Sequence, residues 1–175
     1  MEVSAAIQLI KNDRLTQQNP ATWVDLGCGS GLFTNALTNL LPPGSTVYAV
    51  DKAPVRLDPA LTNQEVEIKI LQLDFIREEL LWNQLDGILM ANSLHYVADK
   101  TALINRLSRH LQPDGCFLIV EYDTDKPVAQ WVPYPISFDK LSALFTEMGF
   151  TTVHRLGKHP SDFGRADIYA ALVAY

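Results

Sequence analysis

Short apolar runs alternate with stretches of helical periodicity along most of the chain. Near the start, Val3, Ala6, Ile7 and Ile10 recur at roughly helical spacing through residue 17, and Asn19-Pro20 ends the segment. Residues 22–26 (TWVDL) read as a strand, followed by a helix with Leu32, Ala36, Leu37 and Leu40 on one face, stopped by Pro42-Pro43-Gly44. Residues 45–51, rich in β-branched and aromatic side chains, predict a second strand, and 53–63 a short, broken helix. In 65–74, Val66, Ile68 and Ile70 alternate with Glu65, Glu67 and Lys69, which suits an edge strand. A short helix is expected over 75–85, a buried strand over 86–92 and a helix over 99–111. Another buried strand spans 115–122, and a helix over 137–150 starts at Ser137 and stops at Gly149. Two last strands, 151–157 and 166–175, have no helix between them.

Strands alternating with helices predict an α/β fold, a mostly parallel sheet covered on both faces. The ending breaks the pattern, because two strands joined by about ten loop residues, without a crossover helix, pair antiparallel or sit apart. Six parallel strands and an antiparallel seventh are therefore expected.

Composition narrows the function. The chain has 175 residues, 47% hydrophobic and 19% charged, which suits one soluble domain over 1–175. A net charge of −6, with no dense run of Lys and Arg, argues against a nucleic-acid partner. Cys28 and Cys116 lie far apart, with no metal-ligand spacing, and read as free thiols of a reducing compartment. No signal-peptide pattern and no apolar stretch near ~20 residues is present, so a cytoplasmic protein without a membrane span is expected.

The chemistry concentrates after the first strand. Gly27, Gly29 and Gly31 read G-x-G-x-G, and Leu32 stands where a dinucleotide-binding turn has its third glycine. Such a turn brings bare backbone close to a ligand, because a β-carbon would fill the ligand's space. Asp25, just before it, would repel a pyrophosphate and attract a cation. Asp51 ends the second strand twenty residues beyond Gly31, where an acidic side chain grips ribose hydroxyls. Asp74-Phe75 ends the third strand, an acceptor beside an aromatic ring that suits adenine. Each carboxylate has a plainer reading as a turn or helix-cap residue. Together they ask for a positively charged nucleoside without phosphate, at the carboxyl ends of parallel strands.

With these motifs, and with "DGILMANSLHYV" and "LQPDGCFLIVEY" following in order, the chain resembles class I S-adenosylmethionine-dependent methyltransferases of the small-molecule type. The resemblance implies a Rossmann-like sheet of order 3-2-1-4-5-7-6, with strand 7 antiparallel. It also implies S-adenosylmethionine as cofactor. Asp25, Gly27, Gly29 and Gly31 would then surround its methionine portion, Asp51 would bind its ribose, Asp74 and Phe75 would hold its adenine, and Lys52 would be a further cofactor-binding residue. Asn92 would line the pocket near the sulfonium, and Cys28 would touch the cofactor's edge.

His95 follows the fourth strand, where an acceptor would enter, and is either a general base or a pocket-lining residue. The stretch 122–136 is long for an αβ connection and carries Trp131 and Tyr134. It is either a surface loop with aromatic anchors or a substrate loop in which Trp131 and Tyr134, with His95, Tyr96 and Tyr122, wall the acceptor. The N/D-P-P-Y/F run of amide and exocyclic-amine methyltransferases is absent at 92–95, as is the Pro-Cys of cytosine C5 enzymes. A small-molecule acceptor is expected. The alternatives are a protein or RNA methyltransferase and a non-catalytic S-adenosylmethionine-binding subunit. About twenty residues (1–18 as a helical segment) precede the first motif, which implies an open pocket or cover from a second copy in a homodimer.

Overall fold

A computed structural model describes residues 1–161 and 166–175. Its centre is a seven-stranded sheet: β1 (Thr22–Leu26), β2 (Thr46–Asp51), β3 (Glu67–Gln72), β4 (Leu85–Ala91), β5 (Leu111–Tyr122), β6 (Thr152–His159) and β7 (Ile168–Ala174). The spatial order is β3-β2-β1-β4-β5-β7-β6. All neighbouring pairs from β3 to β5 are parallel, while β7 runs antiparallel to both β5 and β6, as the helix-free ending requires.

Alternation along each strand sends side chains to two cores. On one side Trp23, Val47, Leu89 and Leu118 meet α1 (Val3–Ile10) and α2 (Leu32–Thr38). On the other, Val24, Leu26, Ile88 and Phe117 meet α3 (Lys100–Ser108) and α4 (Phe138–Glu147). Central β1 is buried from Trp23 to Leu26. The Trp23 ring lies so close over Gly87 that a β-carbon there would sit 2.3 Å from it, which allows β4 its place beside β1.

Several helices are shorter than the periodicity suggests. The first ends at Ile10, because Asn12 turns the chain: its Nδ2 donates to the Ile10 carbonyl (2.9 Å) and its Oδ1 accepts from the Arg14 N–H (3.0 Å). In 53–63 only the 3₁₀ turn Pro59–Leu61 forms, since Pro54 and Pro59 interrupt any longer helix. Over 75–85 no α-helix forms at all. That segment must span the whole height of the sheet between β3 and β4. A helix rising about 1.5 Å per residue covers only half the distance of extended chain. Asp74 starts a single turn, accepting from Arg77 and Glu78 N–H at 3.0 and 2.8 Å, and the chain then runs on irregularly. β3 is the sheet's edge as expected, and with so little helical cover it leaves Ile70 and Leu71 exposed.

Candidate active site

The glycine turn leaves β1 at the middle of the sheet. The N–H groups of Gly27 and Cys28 both donate to the Val50 carbonyl, at 2.8 and 3.0 Å, which ties the turn to β2. Gly27, Gly29 and Gly31 have φ of +78°, +53° and +82°, backbone that favours glycine. The space around them differs from the expectation that all three clear room for a ligand. A β-carbon at Gly27 would lie 2.6 Å from Ser93 Cβ, and one at Gly31 2.0 Å from Leu57 Cδ2. Those two glycines admit the protein's own side chains. Only Gly29 opens onto free space, with nothing within 4 Å of its β-carbon position.

Asp25 is fully buried. Its Oδ2 accepts from Thr34 Oγ1 at 2.6 Å, while its Oδ1 is buried with no hydrogen-bond partner among the described residues. Burial pushes its carboxyl up to about 7; Thr34 opposes the shift and Asp51 adds to it. Burial, with the same two carboxylates, also pushes the Cys28 thiol up to about 12. Asp51 accepts from the Gly29 N–H through Oδ2 and from the Ala53 N–H through Oδ1, both at 2.9 Å. The ribose residue inferred from spacing is thus also a brace of the glycine turn, and each oxygen keeps a further lone pair for a ligand. Lys52 is exposed, and its carbonyl accepts from Gln72 Nε2 at 3.1 Å.

Asp74 serves its own turn: Oδ1 accepts from the Ile76 N–H at 3.0 Å. The neighbouring Phe75 ring is buried and reaches the glycine turn, with Cε1 3.4 Å from the β-carbon position of Gly27. Arg106 of α3 holds this segment from below, donating to the Phe75 and Ile76 carbonyls.

Asn92 follows β4 in a left-handed conformation (φ +53°), and its N–H donates to the Val120 carbonyl at 2.8 Å. Its Oδ1 is likewise buried without a partner among the described residues. Next comes Ser93, whose Oγ donates to the Leu26 carbonyl at 2.6 Å and locks the β4 end to β1. His95 sits in the 3₁₀ turn Leu94–Tyr96 and is 2% exposed. Its backbone N–H donates to Glu121 Oε1 (3.0 Å), and its Nδ1 lies 2.7 Å from Glu121 Oε2. Glu121, on β5, is 1% exposed. Both its oxygens therefore face His95, and with Nδ1 donating, Nε2 is the ring atom left for a ligand. The Tyr96 and Tyr122 rings lie 4.4 and 6.2 Å from the imidazole.

Beside this pair is a cavity of about 410 Å³, bordered by Asn92, His95, Tyr96, Tyr122, Val128 and Trp131 among others. Trp131 is largely exposed at its rim. The expectation that Tyr134 shares this wall differs from the geometry, for Tyr134 is not among the lining residues. Instead it anchors the loop: its N–H donates to the His95 carbonyl (2.9 Å), and its carbonyl accepts from Lys100 Nζ (2.7 Å). The loop base is tied as well, with Asp123 Oδ1 accepting from the Phe138 N–H (2.9 Å) and Asp125 Oδ1 from the Ser137 N–H (3.1 Å).

Sequence reasoning missed Thr34, Ser93, Arg106 and Glu121. Glu121 left a visible signal, a lone charge in an otherwise apolar run at a strand end. The other three depend on which strands and helices meet, and no local pattern marks them.

The donor set fits S-adenosylmethionine. Among the described residues the buried Oδ1 atoms of Asp25 and Asn92, beside the glycine turn and the β4 end, lack partners, as does Oδ1 of Asn35 on α2; the backbone is open at Gly29, and Asp51 stands at the β2 end. Comparison with known proteins agrees. Residues 24–117 match the methyltransferase domain family. Over 95 residues the chain is 30% identical to malonyl-[acyl-carrier protein] O-methyltransferase of Bacillus anthracis, covering 54% of this chain and 35% of that protein. Over 92 residues it is 33% identical to the biotin biosynthesis bifunctional protein BioCD of Bordetella avium strain 197N, covering 53% of this chain and 20% of that one. The matched segment thus spans about a third or less of either relative. Among solved structures, the 1,6-didemethyltoxoflavin-N1-methyltransferase of Burkholderia thailandensis, with 1,6-didemethyltoxoflavin and S-adenosylhomocysteine bound, superimposes with a TM-score of 0.73. It is 20% identical, and the match covers 98% of this chain and 77% of that one. With the strand order, the glycine turn and the family match in agreement, the chain belongs to the S-adenosylmethionine-dependent class I methyltransferases.

Proposed function

We propose that residues 1–175 act as one methyltransferase unit on a small molecule held in the cavity beside His95. The observation that carries this reading is the position of that cavity. It starts at Asn92, adjoining the glycine turn through Ser93, and is walled by Tyr96, Tyr122 and Trp131 from 122–136. Its volume lies in the range of sites for small ligands, roughly 300–1,000 Å³.

The bound cofactor supplies an electrophilic methyl group on a sulfonium. Asp51 would accept from the ribose hydroxyls, and the buried Oδ1 atoms of Asp25 and Asn92, without partners among the described residues, would favour the cationic portion. Phe75 would offer apolar surface to the adenine, with Asp74 beside it. The tethered loop would help orient the acceptor, and His95 Nε2 would receive its proton. The two buried free thiols, Cys28 and Cys116, suit a reducing, cytoplasmic setting. Among the described residues no helix is long and apolar enough to cross a membrane.

The test is transfer of labelled methyl from S-adenosylmethionine into a cell extract separated by size. Label is expected in the low-mass fraction; label in protein or RNA would overturn the small-molecule reading. Trp131→Ala should lower transfer while calorimetric affinity for S-adenosylhomocysteine stays unchanged.

A further inference from the structure

Glu121 and His95 form a buried, doubly bonded pair at the cavity. We propose that the acceptor is a flat-ring molecule whose nucleophilic atom arrives still carrying its proton, a phenol-like hydroxyl or ring N–H, and that Glu121 positions His95 to remove it. This rests on the reading of the cavity as the acceptor site.

The geometry is specific. Among the described residues, a carboxylate 1% exposed is held by one residue, Oε1 on the His95 backbone N–H and Oε2 on its Nδ1. The backbone bond fixes the turn, and the side-chain bond fixes the ring and its tautomer. A ring that served only as packing would need neither a buried carboxylate nor this double tether, since burying a charge without a counter-charge is unfavourable. Protonation of Nε2 provides that counter-charge, because the imidazolium forms directly against Glu121. The other ionisable groups nearby are few. The Tyr96 ring lies tilted beside the imidazole, and burial, with Glu121, raises its hydroxyl. Tyr122 lies beyond it, and Tyr169 pairs with Glu121 across β5 and β7. Lys100 feels Glu121, but its Nζ is spent on the carbonyls of Val97 and Tyr134.

The acceptor's O–H or N–H bond breaks and its proton bonds to Nε2. The freed electron pair forms the bond to the methyl carbon, the C–S bond breaks with its pair left on sulfur, and Nε2 later returns the proton to water. A carboxylate acceptor has no proton to give and meets the negative charge behind the imidazole. The rings of Tyr96, Tyr122 and Trp131 favour a flat partner.

Two probes test this, 4-nitrophenol and 4-nitrobenzoate, with the protein saturated in S-adenosylhomocysteine and below the pH at which free nitrophenol ionises. The wild type should bind nitrophenol saturably with growth of its visible phenolate band, and bind nitrobenzoate about tenfold more weakly, a plausible size for one like-charge contact in a cleft. Glu121→Gln should still bind nitrophenol but with the phenolate band reduced about fivefold or more, the effect of losing the imidazolium's partner. His95→Asn, which can keep a donor to Glu121, should bind it un-ionised, so the test survives if Glu121→Gln does not fold. Nitrophenol bound neutral by the wild type, nitrobenzoate bound as tightly, or neither probe bound would overturn the proposal. Failure of the underlying reading looks different: S-adenosylhomocysteine itself would not bind, or label would go to a macromolecule.

Discussion

At Gly29 a single methyl group separates ligand approach from folding. All three glycines of the turn have positive φ, so any alanine there carries a conformational penalty of about 1 kcal/mol. Gly27→Ala would also collide with Ser93 and force β1 and β4 apart. Gly29→Ala meets nothing of the protein's own. It should therefore melt within a few degrees of wild type but bind S-adenosylhomocysteine at least about tenfold more weakly, a loss of about 1.4 kcal/mol. Gly27→Ala should lose folded protein first. Equal melting and affinity losses in the two variants would remove the argument for ligand approach at Gly29.

Asp25 gives a pH prediction at the same scale. Its folded carboxyl is raised to about 7, so the folded chain holds a proton that the unfolded chain releases at lower pH. Relative to a neutral side chain, the stability this group contributes is present in acid and is lost as pH rises through about 7. Asp25→Asn should thus stabilise the ligand-free protein increasingly between pH 5 and pH 8, by roughly 1–3 kcal/mol at the upper end. The same substitution should weaken binding of the cationic cofactor. Thermal melts across that pH range, with and without S-adenosylmethionine, check both signs.

At the scale of elements, the strand pattern was legible because both cores demand it. Trp23, Val47 and Leu118 point one way, and Val24, Val50 and Phe117 the other. What could not be read was the content of the two connections around β3. Their apolar residues suit a helix, yet the segment from β3 to β4 must return across the parallel sheet, which irregular chain does in fewer residues than a helix. Asp51 was legible from its distance to the turn, but its bonds to Gly29 and Ala53 were not. Arg106 compensates for the missing helix by reaching from α3 to the Phe75 and Ile76 carbonyls. Arg106→Met, which keeps the stem but removes the donors, should loosen that segment. We expect cofactor affinity to fall about tenfold, the scale of one or two charge-assisted hydrogen bonds. The acceptor KM should be unchanged. Calorimetry and steady-state kinetics distinguish this from a general loss of fold.

At the scale of the molecule, the candidate site lies where the carboxyl ends of β1, β2, β4 and β5 come together. A ligand spanning it would touch the glycine turn, the β2 and β3 ends and the His95 turn at once. No single one of these segments forms the cleft, so the site is a property of the strand order. That order has a consequence for synthesis. β7 fills the gap between β5 and β6, so residues 168–174 must emerge from the ribosome before the neighbouring β6 has anything to pair with. Until then β5 shows a bare flank to the crowded cell, and the nascent chain depends on speed or on a chaperone to keep that flank from meeting another protein's strand.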